Sequence, residues 1–350
     1  MAYTSINDPS ANFHVQLYTG TGSTQSVGND GNSDLKPDWV WIKKRNSSGN
    51  NSLFDSTRGA TNELVTNGSG VEAADAQLLT QFDTDGFTVG TNSGVNGASD
   101  TFVAFQWKAN GGTTSTNSDG DINSTVQVNS DAGFSIVTYS PANNTARNIG
   151  HGLGTTPSVV ITRARNRAED WRVFHSGAGS TGSLNLNDTS AHNSSTVLHT
   201  GVASTTFGVG TDFSVNGAYN YVSYVFAEKQ GFSKFGKYFG NGSSDGVFVY
   251  TGFKPRWIMV KRSDTSGYHW RIYDTKRSSS DGSNPLDERV NANLDEAEGT
   301  HASDFDIDAL SNGFKLRTSS QINVSGGTYV YMCFAHQPFV TSTGIPTTAR

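Results

Sequence analysis

The chain repeats itself in register, and that restricts its fold more than any single motif does. Phe87–Ala109 (FTVGTNSGVNGASDTFVAFQWKA), Phe207–Lys229 (FGVGTDFSVNGAYNYVSYVFAEK) and Phe314–Gln337 (FKLRTSSQINVSGGTYVYMCFAHQ) each read as a strand, an Asn-centred turn and a second strand. Alternation puts Val103, Phe105 and Trp107 on one face of the second strand in the first copy. The same positions hold Val222, Tyr224 and Phe226 in the second copy, and Val330, Met332 and Phe334 in the third. A slip of one residue would turn each set to the opposite face, so a shared register predicts one fold built three times.

A second motif confirms the period. Pro37–Arg45, Pro157–Arg165 and Pro255–Arg262 are each a proline-led strand ending in basic residues. The distance from this proline to the later phenylalanine is equal in copies one and two and longer in copy three, with the extra residues expected around 278–298. Each copy opens on its own strand (Phe13–Tyr18, Phe134–Tyr139, Phe235–Phe239), followed by a Gly/Asn/Ser turn. A middle strand centres on Phe54, Phe174 or Tyr273. Helical periodicity is scarce, with Val71–Phe82 and Asp287–Glu298 the best candidates.

The predicted fold class is all-β: three tandem antiparallel β-sandwich domains, jelly-roll or lectin-like, with few short helices. The boundaries expected are 1–112, 133–230 and 231–339. Residues 113–132 form a Gly/Ser/Thr/Asn-rich linker whose second half, Ile122–Val128, alternates weakly and is a candidate for an added edge strand. Units two and three have no such linker and are expected to pack together. Residues 340–350 form an extended C-terminal arm lying on a neighbouring subunit, because Pro346 interrupts a ladder and only Val340 and Ile345 are apolar.

Only 34% of the residues are hydrophobic, a value that would suit disorder, but 20 Phe, 12 Tyr and 6 Trp argue for packed, loop-rich β units. Net charge is −6 with no Lys/Arg cluster, which argues against nucleic acid. The one cysteine, Cys333, excludes an intrachain disulfide framework and reads as a packed side chain. No basic-then-apolar leader and no long apolar run is present, so neither signal peptide nor membrane insertion is expected.

The motifs YTGTGSTQSV, PDWVWIKKR, LFDSTRGA, FDTDGFTVG, WKANGGTTSTNSDG, WRIYDTKRS, LSNGFKLRT and GGTYVYMCFA resemble repeats of virion structural proteins from marine bacteriophages, those of cyanobacteria and pelagic bacteria. So does the long stretch KFGKYFGNGSSDGVFVYTGFKPRWIMVKR. The resemblance runs from about Phe13 to Arg350. It implies laminin-G or concanavalin-like sandwiches and a non-enzymatic tail fibre or tail appendage protein that binds host-surface glycans. It further implies partners among other virion proteins and copies of itself, a trimer being expected, and release by lysis. A capsid decoration or cement protein is the alternative, and a polysaccharide-cleaving tailspike the third. No tail-attachment domain, coiled coil or collagen-like shaft precedes the first repeat, which favours the decoration reading.

Six residues stand out as glycan-binding candidates. Asp55 and Arg58 correspond to Asp274 and Arg277, whereas the middle copy has His175 and Ala178 there. Such a pair offers charge-assisted bonds to sugar hydroxyls, though a structural ion pair is the favoured reading. Trp171 and Trp270 share a position where copy one has Asn51. Their rings suit the apolar face of a pyranose, and packing between units two and three is the favoured alternative. No catalytic constellation is visible. Gly242–Gly246 matches G-x-S-x-G but sits in a β turn, the eight histidines lack metal-ligand spacing, and no carboxylate pair stands out. Asp304–Asp308 lacks the glycine and glutamate of an EF-hand loop, and Asp83–Gly86 and Asp119–Asn123 are equally incomplete. No cofactor is expected, with a surface Ca²⁺ clamped by distant loops the one alternative left open.

Overall fold

The computed structural model describes residues 3–278, 284–300 and 305–347. The chain is all-β, and each repeat forms a unit of two antiparallel sheets. In unit one the large sheet runs, in spatial order, Phe13–Thr19, Thr101–Trp107, Trp39–Lys44, Asn51–Asp55, Asn62–Val65 and Ala73–Ala74. The small sheet runs Gln25–Val27, Phe87–Val89 and Leu79–Phe82. Units two and three repeat this order, and the register repeats with it. Trp107 lies opposite Phe13 and Trp39, Phe226 opposite Phe134 and Val159, and Phe334 opposite Ser233 and Trp257.

The alternating strands bury both faces. In unit one Phe102 and Ala104 point between the two sheets, against Val40, Phe54, Phe87 and Val89. Units two and three have equivalent cores of their own. Val103, Phe105 and Trp107 point the other way, into a fourth core shared with Val222, Tyr224 and Phe226 and with Val330, Met332 and Phe334. At its centre the rings of Trp107, Phe226 and Phe334 meet, with centroids 6.5, 5.5 and 5.8 Å apart. The three large sheets therefore stand around one common axis, small sheets outward. An antiparallel sheet usually leaves one face to water; here that face is the inter-unit contact, so these strands read as almost continuously apolar.

The Asn-centred turns are latches. Asn96, Asn216 and Asn323 are fully buried. Asn96 Nδ2 donates to Ser23 O and Gly90 O, and Asn216 Nδ2 to Thr145 O and Gly210 O. Asn323 Nδ2 likewise reaches Thr318 O and Ser243 O. Each thus ties the loop after the first strand to the small sheet. Beside each latch lies a stacked ring pair: Tyr18–Phe102, Tyr139–Tyr221 and Tyr238–Tyr329.

Several expectations change. Val71–Phe82 is not helical: Ala73–Ala74 and Leu79–Phe82 are strands. Asp287–Glu298 holds the strand Glu288–Asn291. In both, pairing with a neighbouring strand outweighs a weak 3.6-residue pattern. The linker 113–132 supplies the strand its second half suggested, and its first half adds the edge strand beyond it. Ser115–Asn117 and Ser124–Asn129 form a hairpin that extends the large sheet beside Phe134–Tyr139. The C-terminal segment is not an extended arm through residue 347. Val340 bridges Pro346, Thr341 N donates to Ile345 O, and Ser342 N donates to Asn7 Oδ1. It turns back onto the chain's own N-terminal segment; residues 348–350, Arg350 included, lie outside the described residues.

Candidate functional site

Every glycan candidate singled out in the sequence lies in a seam between units. Trp171 and Trp270 are fully buried. Trp171 Nε1 donates to Val65 O of unit one at 2.9 Å, and Trp270 Nε1 to Asn185 O of unit two at 2.7 Å. Asn51, in the same place, closes the circle by donating from Nδ2 to Asn291 O, Ala292 O and Leu294 O of unit three. Two leads to one, three to two and one to three, a head-to-tail contact that closes on itself within one chain.

Asp55, Arg58, Asp274 and Arg277 are equally inaccessible, with side chains 0% exposed. Arg58 Nε donates to Asp55 Oδ2 and its Nη1 to Glu72, and Glu72 in turn takes Arg165 of unit two at 2.7 Å. Asp274, Arg277, Glu298 and Arg45 of unit one form the same relay at the next seam. Burial works against the charge of Arg58, but Asp55, Tyr224 and Glu72 outweigh it and hold the guanidinium more firmly charged than usual. Tyr224 of unit two donates to Asp55 Oδ2 at 2.6 Å. The glycan-binding reading of these six residues does not fit their burial, and the favoured structural reading accounts for them: their polar atoms and rings are spent on the protein.

The third seam replaces the whole relay. His175 and Ala178 stand for the Asp/Arg pair, and His192 N donates to Ser263 O as Glu72 N does to Arg165 O and Glu298 N to Arg45 O. His175 Nε2 donates to Tyr331 O at 3.1 Å while Nδ1 accepts from Gly177 N at 3.0 Å. Burial pulls its pKa down to about 4. At one shared position the proline-led strands also carry a buried cation into the seams: Lys43, Arg163 and Lys261. They donate to Leu294 O, Gly70 O and Thr189 O of the neighbouring unit. Sequence reasoning saw basic strand ends and missed that role. The signal was their recurrence at one fixed distance from each proline.

An accessible cluster of aromatic and cationic side chains lies instead on unit two. Arg167 lies between two rings, its guanidinium carbon 4.6 Å from the centroid of Phe213 and 4.9 Å from that of Tyr219. Its Nη1 donates to Tyr219 Oη at 2.6 Å and its Nε to Glu169 at 2.5 Å, and Glu169 and Tyr219 keep it firmly charged. Phe213 is 42% exposed. Gly217 makes the convergence possible, since a Cβ there would stand 2.8 Å from Phe213 and 3.2 Å from Tyr219. Asp170, Asn187, Asn185 and Arg172 form a hydrogen-bonded set nearby in sequence.

Asn166 and Asn220, next to Arg167 and Tyr219 in sequence, begin a polar trough. One hollow of about 270 Å³ is lined by Val71, Glu72, Arg165, Asn166 and Asn220. A second, about 430 Å³, shares Arg165 and Asn220 and continues along Thr116, Thr125, Thr138 and Ser140. A wider hollow near Ser5–Asn12 and Asn129–Asp131 has no aromatic side chain in its lining. Phe213 and Arg167 were missed in the sequence although the repeats mark them. Counting from the latch Asn, unit one has Ser93 and unit three Ser320 in place of Phe213; counting from the proline, they have Ser47 and Thr265 in place of Arg167. Among the described residues no cluster of three or more His, Cys, Asp or Glu side chains is placed to hold a metal ion; Asp304 lies outside them.

The sequence profile of a family described as a domain of unknown function, DUF7483, matches residues 8–338. The chain belongs to that family. No curated protein and no solved structure matches it.

Proposed function

We propose that this chain is a non-enzymatic attachment protein of a virion, part of a tail fibre or tail appendage, which binds a host-surface polysaccharide through unit two. The virion setting rests on the repeat motifs alone. The binding reading rests on one observation: an accessible aromatic–guanidinium platform whose sequence neighbours, Asn166 and Asn220, line a trough of hydroxyls and amides. Ring faces pack on the C–H face of a pyranose, while Asn, Ser, Thr and Arg supply directional bonds to its hydroxyls. A platform present in one unit of three is free of the packing duty that the repeated residues share.

The test is binding of the intact protein to purified host envelope polysaccharide. Phe213→Ala and Tyr219→Ala are each expected to weaken it about tenfold, the loss of roughly 1–1.5 kcal/mol of ring contact. Phe213 is exposed, so its variant should leave the unfolding midpoint unchanged, whereas Tyr219 packs on the unit-two core and its variant is read after correction for any loss of stability. Undiminished binding in the double variant would remove the platform from the reading. Release of reducing ends, abolished by replacing one carboxylate, would instead make the protein a tailspike enzyme. Antibody labelling of virions places it on tail or capsid.

A further inference from the structure

The first strand of each small sheet is an edge, and the three units treat that edge in three ways. Pairing fixes the correspondence: Val27 faces Phe87, Ile149 faces Phe207 and Val249 faces Phe314. The outward positions on either side are Ser26 and Gly28 in unit one, Asn148 and Gly150 in unit two, and Phe248 and Tyr250 in unit three. Only unit three presents large rings to solvent there, Phe248 at 43% and Tyr250 at 57% exposed.

In unit two the edge is covered. Ile122 pairs in parallel with Ile149 and packs on the unit-two core. Asp121 N donates to Asn148 O at 2.8 Å, Asn148 N donates to Asp121 Oδ2 at 2.6 Å, and Ser124 Oγ donates to Gly150 O at 2.7 Å. The covering segment comes from the connection between units one and two. Unit three follows unit two with no such connection, and its edge strand, Phe248–Tyr250, ends the sheet with no strand beyond it among the described residues. Leu316 N donates to Val247 O and Thr251 N to Asn312 O, so the odd-numbered residues bond inward. By alternation the N–H and C=O of Phe248 and Tyr250 face the open side.

A bare edge carrying two aromatic side chains is what soluble β proteins ordinarily avoid, by charge, brevity or cover. We propose that the Phe248–Tyr250 edge is a docking site for an extended, acidic peptide segment of a partner protein. That segment adds as a parallel strand in the way 119–124 adds to unit two. Main-chain bonds to Phe248 and Tyr250 supply the affinity, and an Asp placed like Asp121 caps the Phe248 N–H. A branched apolar residue placed like Ile122 covers the unit-three core. The covering segment of unit two states the chemistry of the occupant, and this site is independent of the polysaccharide reading.

The probe is a labelled peptide of residues 117–126 (NSDGDINSTV), titrated onto the intact chain and read by anisotropy. Saturable binding with Kd below about 1 mM is expected. The double substitution Phe248→Ser/Tyr250→Gly, which approximates the edge of unit one, should weaken it at least tenfold with the unfolding midpoint unchanged. Peptides carrying Asp121→Ala or Ile122→Ser should weaken it comparably and leave the protein untouched. No binding at 1 mM, or binding indifferent to the protein and peptide changes, overturns the proposal. Dimerisation of the intact chain that disappears in the double variant also overturns it, since the edge would then serve a second copy.

Discussion

Two of the three seams are closed by a four-residue charge relay and the third by histidines, although one fold forms all three. In the first two, a buried Asp–Arg pair is carried by Glu72 or Glu298 to an arginine of the next unit. In the third, His175, Ala178, His192 and Ser263 replace all four positions at once. For the inner two positions, joint replacement has a physical reason. A lone Arg at residue 178 or a lone Asp at 175 would be a buried charge without a partner, which costs more than the pair contributes. The buried Asp and Arg are thus one unit of substitution, while the outer arginine, partly exposed, is less tightly bound to it.

The largest predicted difference follows from that. Asp55→Ala and Asp274→Ala should each cost about 3–5 kcal/mol, because Arg58 or Arg277 stays buried with its main partner gone. His175→Ala removes a neutral group and should cost less, about 1–3 kcal/mol, from the orphaned Tyr331 carbonyl and Gly177 N–H. Denaturant unfolding measures both; equal losses at all three seams would break the distinction.

Acid should separate the seams next. His175 is neutral in the fold, with a pKa near 4 against 6.5 for a free histidine. Its contribution is full above pH 6.5 and is lost as pH falls from 6.5 to 4, where only the unfolded chain takes up the proton. At 1.36 kcal/mol per pKa unit the loss is roughly 3 kcal/mol. It is read as the stability of the wild type minus that of His175→Gln across that range, which removes the common contribution of other buried histidines such as His199. Glu72 and Glu298 titrate below the ordinary glutamate range: burial opposes their charge, but the flanking arginines outweigh it. The relay seams therefore hold down to about pH 4.5 and weaken as pH falls further. Introducing His175→Asp, Ala178→Arg, His192→Glu and Ser263→Arg together should transfer this acid profile to the third seam.

Smaller effects sharpen the picture. Trp171→Phe and Trp270→Phe each remove one donor to a carbonyl of the neighbouring unit and leave a small void in a buried site, for about 1–3 kcal/mol each in thermal unfolding. Arg165→Ala and Arg45→Ala act at the outer end of the relay, where the side chains are 24% and 20% exposed. Roughly 0.2–1 kcal/mol is expected there, shrinking as salt is raised. A loss that ignores salt would show that packing of the arginine stem matters more than its charge.

The site was less legible than the fold, for a physical reason. Repeated residues such as the Asp–Arg pairs and the seam tryptophans attract attention because they recur, yet recurrence here marks what the units need in order to pack. Residues free to bind are those that only one copy carries, such as Phe213, Arg167, Phe248 and Tyr250, and comparison of the copies would have exposed them. The sequence favours a structural role for the Asp–Arg pairs, and their burial agrees. The helical readings of Val71–Phe82 and Asp287–Glu298 failed because strand pairing with distant residues is invisible to local periodicity.

What the sequence determined by itself is the repeated unit: its strand register, its Asn-centred turns and the face carried by Val103, Phe105 and Trp107 and their counterparts. Those follow from side-chain alternation, a local property of the chain. Only the tertiary structure decided where that face points. An apolar sheet face is satisfied equally by a second sheet of its own unit or by the sheets of its neighbours, and alternation does not distinguish the two. Here each unit fills its own interior with the opposite face, and the aromatic one remains to meet its two counterparts at the axis. Closure within one chain then depends on non-local bonds, Trp171 to Val65, Trp270 to Asn185 and Asn51 to Ala292, whose partners lie about 85 to 240 positions apart.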